Sequence, residues 1–132
     1  CALPIWVDLS GASSFEAQGS LRSTSVILSG ASEFDFDGSI QQLCVDGSGA
    51  SEVDVDGDIT GKLSVDLSGA SSMEYKGRVK EAKIEVSGAS SFKGKRATAD
   101  TAWLEASGAS KITLPTKDCK SSTASGMSSI NS

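Results

Sequence analysis

The chain has 132 residues, of which 38% are hydrophobic and only 5% aromatic, so we expect one domain with a core of small and β-branched side chains. It contains no histidine, which excludes imidazole bases and His-based triads, and its formal net charge of −5 disfavours binding to nucleic acid. No apolar run approaches the ~18 residues that a transmembrane segment needs.

The N-terminal segment is the first element of the chain, and it begins with Cys1 rather than with Met. A missing initiator indicates that an upstream segment was removed, which is typical of exported proteins. A processed leading cysteine is also compatible with a lipid anchor at Cys1. We expect residues 1–5 to form a lead-in and residues 6–132 to form the folded domain.

A tetrapeptide repeat follows and dominates the rest of the chain. Ser-Gly-Ala-Ser occurs six times and Ser-Gly-Met-Ser once, with spacings of 19, 19, 20, 19, 20 and 18 residues. Such a regular period predicts a repeat array in which each unit contacts its neighbours. The six complete motifs begin at Ser10, Ser29, Ser48, Ser68, Ser87 and Ser107.

Alternating apolar residues flank each motif and predict β-strands. Val7 and Leu9 precede the first motif, Phe15 and Ala17 follow it, and the same alternation recurs in the later units. A recurring glycine, for example Gly38, is followed by apolar positions that predict a third short strand. No window shows the period of a helix. We therefore predict an all-β, single-domain parallel β-solenoid of about seven turns of 19–20 residues, with two or three strands in each turn.

The motif itself is predicted to be a structural corner between two sheets. Its glycine allows the bend, its alanine is expected to point into a narrow interior, and its serines are expected to bond to the backbone or to one another. A direct binding role is the alternative. The predicted corner residues are Ser10, Gly11, Ser29, Gly30, Ser48, Gly49, Ser68, Gly69, Ser87, Gly88, Ser107 and Gly108.

The sequence around the motif resembles that of a known family. Residues 7–15 and 65–73 both contain Leu-Ser-Gly-Ala-Ser with an apolar residue two places further on. This pattern is similar to the auto-transporter adhesin "head GIN" domain family over residues 6–132. The resemblance implies a right-handed parallel β-helix, a location outside the cell or in the bacterial cell envelope, no known catalytic residues and an adhesive role.

Catalytic and metal sites have little support in the pattern. No repeat unit is longer than 20 residues, which leaves no room for the loops that wall an active-site cleft, so we predict that the protein is not an enzyme. The carboxylates of Asp35, Asp37, Asp54 and Asp56 are expected to stack in neighbouring turns and could bind Ca²⁺, which prefers oxygen ligands. A solvated acidic face is the alternative interpretation, and no other cofactor is predicted.

Charge is divided unevenly along the chain. Residues 1–75 contain 2 basic and 12 acidic side chains, whereas residues 76–132 contain 10 basic and 5 acidic ones. Because sequence order is axial order in a solenoid, we expect one acidic end and one basic end. The basic sequence at 93–96 could bind an anionic glycan or a lipid headgroup. Chance clustering of charges on solvated faces is the alternative.

The two ends of the array suggest how the protein assembles. The apolar pattern starts at Trp6 and stops at Ser132 without a recognisable cap, and uncapped solenoid ends pair with other chains. We predict that the acidic end of one molecule stacks on the basic end of the next, which would produce filaments. The predicted function is that of an exported structural or adhesive protein. The alternative is a monomeric adhesin head that binds a surface glycan or protein through one flat face.

The three cysteines are expected to be far apart within one molecule. Cys44 and Cys119 are predicted to lie about four turns, or ~19 Å, apart, whereas a disulfide needs Cα atoms within about 7 Å. Cys1 is expected about two turns, or ~10 Å, from Cys44 unless the N-terminal segment folds back along the solenoid, so no bond within the chain is predicted. An intermolecular Cys1–Cys119 bond could lock the filament in an oxidising exterior, unless Cys1 carries a lipid.

Overall fold

The computed structural model describes residues 5–114 and 116–131, and within these ranges it leaves out the side chains at 5, 21, 95, 116, 118, 119 and 131. This part of the chain contains ten β-strands and no helix. The strands are β1 (Ile5–Leu9), β2 (Ser14–Leu28), β3 (Glu33–Gly47), β4 (Glu52–Asp56), β5 (Ile59–Leu67), β6 (Ser72–Val86), β7 (Ser91–Ala106), β8 (Lys111–Thr113), β9 (Thr116–Ala124) and β10 (Ser129–Asn131).

All of these strands pair in parallel, each with the strand one turn further along the chain. Val26 pairs with Val45, and Val45 pairs with Val65, so the same position of each repeat stacks on itself. The result is a β-solenoid of about six turns, which confirms the all-β, parallel fold predicted from the repeat. β1 begins at Ile5, one residue before the predicted start of the repeat domain.

Most turns contain one long strand that bends at the recurring glycine. β2, β3 and β6 each continue for 15 residues through this position. The φ angles of Gly19, Gly38 and Gly77 there are 121°, 144° and 133°, in a region that favours glycine. In the third turn the equivalent Gly57 separates β4 from β5. The second and third strands of the predicted turn are therefore continuous in most turns, because pairing persists through the bend.

The core is formed by the inward columns that the alternating pattern predicted. Val26, Leu28 and Leu67 are completely buried, and most equivalent positions in the other turns are nearly so. Phe15 is an exception because it is 38% exposed, although its ring stacks on that of Phe34 with centroids 5.6 Å apart. Burial of these apolar columns provides the main stabilisation of the fold.

The orientation of the corner motif differs from the prediction. The motif alanines Ala12, Ala31, Ala50, Ala70, Ala89 and Ala109 are exposed. The second serine points inward instead, as Ser51 shows, with 2% of its surface exposed. Its hydroxyl donates to the carbonyl oxygen of Ser48 at 2.7 Å. The expected inward alanine was therefore wrong, because only a side chain with a hydrogen-bond donor can satisfy that carbonyl inside the closed corner.

Two outward faces of the solenoid matter for function. The post-motif face consists of the outward side chains of 14–18, 33–37, 52–56, 72–76, 91–96 and 111–113. The pre-motif face consists of the outward side chains of 5–9, 24–28, 43–47, 63–67, 82–86 and 102–106. Both faces are regular arrays of columns with a spacing of ~4.8 Å between turns.

Candidate functional site

The predicted calcium ligands lie on the post-motif face in two neighbouring columns. Asp35 pairs with Asp54, and Asp37 pairs with Asp56. Partial burial, and then the neighbouring carboxylates of Asp35 and Glu74, raise the pKa of Asp54. In residues 5–114 and 116–131, however, no three acidic or thiol side chains converge to hold a metal ion. The geometry favours the solvated acidic face, and calcium binding stays a prediction.

The predicted basic cluster lies on the same face, further along the axis. Lys93 stacks above Glu74, and Arg96 stacks above Lys76. The register shifts between these two pairs because β7 has one extra residue there. The shift accompanies a shallow notch of ≈ 410 Å³. It is lined by Glu74, Tyr75, Lys76, Ser91, Lys93, Arg96, Lys111 and Thr113.

The cysteine prediction needs a correction. Cys44, on the pre-motif face, is disulfide-bonded. The structure contains one chain, so the bond is internal, and the expectation of no bond within the chain was wrong. Cys1 lies outside the described residues, and so does the side chain of Cys119. A Cys1–Cys119 bond between molecules would require a state without this internal bond, and for such a state it stays a prediction.

A second notch on the pre-motif face was not predicted from the sequence. Its wall is Trp103, whose side chain points outward from β7 and is 39% exposed. Trp103 stacks above Lys83, and Lys83 stacks above the small Ser64. The step from a small residue to an indole leaves a notch of ≈ 400 Å³. It is lined by Lys62, Leu63, Ser64, Glu81, Ala82, Lys83 and Trp103.

Polar groups surround the Trp103 notch. The ammonium group of Lys62 lies 3.7 Å from a carboxylate oxygen of Glu81 at its rim. Beside it runs an outward acidic column in register across β3, β5, β6 and β7. Burial and then the charge of Asp66 raise the pKa of Asp46 in this column. The acidic column consists of Asp46, Asp66, Glu85 and Glu105.

The sequence contains a signal that could have identified Trp103 as a candidate site residue. Trp103 occupies an outward position where the neighbouring repeats carry Ser64, Lys83 and Ser121. An aromatic residue whose neighbours in an outward column are small or polar is not needed for the core. What makes Trp103 a candidate binding residue is the concave notch that it lines, because ligand sites are concave and lined by aromatic and apolar side chains with a few polar groups.

Comparison with known proteins agrees with the repeat-based interpretation. A sequence profile described as "Putative auto-transporter adhesin, head GIN domain" matches residues 7–132. The chain belongs to this family. The GIN domain is described as an adhesin domain and not as an enzyme. No curated protein and no solved structure matches the chain. Within the described residues, no helix is long and apolar enough to span a bilayer.

Proposed function

We propose that this GIN domain is a non-enzymatic adhesive solenoid, displayed outside the cell or on the cell envelope, that binds a neutral sugar ring of a glycan in the Trp103 notch. The half-exposed indole of Trp103 carries the proposal. The family description supports an adhesive role and a surface location.

The chemistry of the notch suits a pyranose. The electron-rich face of an indole attracts the weakly positive C–H groups on the apolar side of a sugar ring. Polar groups of Lys62 and Glu81 at the rim can exchange hydrogen bonds with ring hydroxyls. A volume of ≈ 400 Å³ also falls within the usual range for small-ligand sites.

The surrounding charge favours a neutral sugar over an anionic one. Asp66, Glu85 and Glu105 lie on the same face as the notch, two positions beyond the column of Trp103. Their field repels sulfate and carboxylate groups. A glycan rich in uronic acid or sulfate is therefore a poor fit for the pre-motif face.

Head-to-tail filaments and binding at the basic sequence 93–96 are the other roles predicted from the sequence. Filament formation depends on the natural ends of the chain, and it stays a prediction. Binding of an anionic glycan would use Lys93 and Arg96 on the post-motif face, away from Trp103. Neither role conflicts with a sugar site on the pre-motif face.

A glycan array with matched tryptophan variants tests the proposal. Trp6 is the control because it occupies the same outward column and is 62% exposed, but it lies outside the notch. We expect Trp103→Ala to lower affinity for the bound neutral glycan about tenfold or more, and Trp6→Ala to leave it unchanged. A fluorescence titration of Trp6→Phe, in which Trp103 is the remaining tryptophan, would give the affinity directly. Binding that survives Trp103→Ala would overturn the assignment.

A further inference from the structure

The charges of the post-motif face form three outward columns, and each column changes sign once. The middle column reads Glu16, Asp35, Asp54 and Glu74, then Lys93. A flanking column carries Glu33 and Glu52, then two serines, then Lys111. The other flanking column carries Asp37 and Asp56, then Lys76 and Arg96. Every column is acidic in the early turns and basic in the later ones.

This arrangement is antisymmetric in charge about the middle of the face. Consider a rotation of 180° about an axis that lies in the plane of the face and runs along β6 through Glu74. It keeps each column in place, exchanges the turn before 72–76 with the turn after it, and exchanges the turns two steps away in the same manner. Opposite charges then occupy matching positions. The matched pairs are Asp54 with Lys93, Asp56 with Arg96, and Glu33 with Lys111.

Stacked like charges leave the acidic half of the face in need of counter-charge. Asp35, Asp54 and Glu74 follow one another in adjacent strands, at ~4.8 Å per step. The pKa of Asp54 is raised, by burial first and then by these two neighbours. Within the described side chains, the ion pair on this face is Lys76 with Glu74, at 3.6 Å. The carboxylates of the earlier turns have no cation beside them that the structure shows.

We propose that the post-motif face binds the same face of a second copy of the chain, with the two solenoid axes antiparallel, about a two-fold axis that runs along β6 at Glu74. The three matched pairs then form twice, because a two-fold interface is self-complementary. The two Glu74 side chains meet near the axis, where each already has Lys76 beside it. The pairing uses interior turns only, and it is lateral, unlike a head-to-tail stack.

The size of the face makes this dimer weak and sensitive to salt. Four steps of ~4.8 Å and about five residues of ~3.3 Å give ~300 Å² per copy. A standard interface buries about 800 Å² per partner. Electrostatic attraction therefore supplies most of the binding, and salt screens it. The dimer belongs with transient assemblies, and it is independent of the sugar site because Trp103 lies on the other face.

Sedimentation velocity with complementary charge variants tests the proposal. The acidic variant carries Lys93→Glu, Arg96→Glu and Lys111→Glu, and the basic variant carries Glu33→Lys, Asp54→Lys and Asp56→Lys. We expect wild type to dimerise at about 0.01 M NaCl and to dissociate at about 1 M, where the Debye length falls from about 30 Å to about 3 Å. Each variant alone should be monomeric, and an equal mixture should restore the dimer.

Several results would overturn this interface. One such result is a wild-type protein that is monomeric in about 0.01 M NaCl. Another is the formation of assemblies larger than a dimer that persist in both charge variants. If a variant fails to fold, the neutral set Lys93→Gln, Arg96→Gln and Lys111→Gln serves instead, and it must lose the dimer. Binding of heparin to monomeric wild type, lost in the neutral set, would assign the basic half to an anionic polymer instead.

Discussion

The backbone of Gly57 lies so close to the carbonyl oxygen of Gly38 in the preceding turn that no Cβ atom fits between them. The φ angle of Gly57 is 143°, a value that other residues rarely adopt. This close approach is where the third turn bends between its two strands. Glycine is therefore required at this position for two separate reasons: the backbone has a positive φ angle, and there is no room for a Cβ atom.

Gly57→Ala should destabilise the fold more than Gly19→Ala does. Gly19 shares the positive φ, at 121°, but has nothing within 4 Å of the Cβ position. We expect the free energy of unfolding to fall by roughly 2 kcal/mol more for Gly57→Ala, because a backbone overlap adds to the conformational strain. Urea unfolding of both variants measures the difference. Equal losses would show that conformation alone matters.

The exposed motif alanine should tolerate large side chains. Ala50→Met is expected to change the free energy of unfolding by less than about 0.5 kcal/mol, because Ala50 is exposed and Met127 occupies the equivalent position with 86% exposure. Ser51→Ala should cost about 1–3 kcal/mol, since it removes the buried bond to the carbonyl of Ser48. Thermal melts of the two variants compare these effects. A larger loss of stability for Ala50→Met than for Ser51→Ala would indicate that the alanine, and not the serine, points inward.

Replacing Thr24 should stabilise the protein. Its Oγ1 is buried, and no described group forms a hydrogen bond with it. Thr24 is stacked on Leu43 in an inward column. Thr24→Val should therefore raise the free energy of unfolding by about 1 kcal/mol. Thr60→Val, at an exposed position, is the control and should have no such effect. A fall in the melting temperature of Thr24→Val would mean that the hydroxyl has a partner.

Stability should rise as the pH is lowered from 7 towards 4. The pKa values of Asp46 and Asp54 are raised above the ordinary 3.8, so the folded state holds these protons more tightly than the unfolded state does. Their stabilising effect is complete below 3.8 and is lost as the pH rises through the folded pKa values. Asp54→Asn should raise the melting temperature at pH 7 and flatten the profile. An unchanged slope in this variant would remove Asp54 as a cause.

The disulfide partner of Cys44 is expected to be Cys1. Leu43, the chain neighbour of Cys44, is connected to Cys119 by four steps of the register, through Leu63, Ala82 and Ala102. At ~4.8 Å per step this is ~19 Å, beyond the reach of a disulfide. Non-reducing peptide mapping should therefore recover a peptide that links Cys1 to Cys44. A link between Cys44 and Cys119 would contradict the register.

The fold could be predicted from the sequence because the repeated motif shows which positions of successive turns are equivalent. Positions equivalent to Val26 share one inward column, so periodicity alone assigns them to the core. The orientation of the corner could not be predicted from pattern, since Ala50 and Ser51 are both small enough to fit. The interior hydrogen bond that decides between them is visible only in three dimensions.

The candidate sites were harder to predict for a related reason. The acidic columns follow from the repeat, but the extra residue in β7 shifts the register and brings Arg96 over Lys76. The notch at Trp103 depends on how far an indole overhangs a neighbouring serine. The disulfide of Cys44 could not be predicted because the three cysteines do not share one position of the repeat.

The constant separation of paired residues has a consequence for how the chain acquires its structure. Val26 pairs with Val45 and then Val45 with Val65, so a completed turn is the template for the next one. Each new turn needs only its own 19–20 residues and the edge already formed. A chain delivered from one end, by synthesis or by transport through a pore, can thus fold as it emerges. Each added turn then hinders the chain from sliding back.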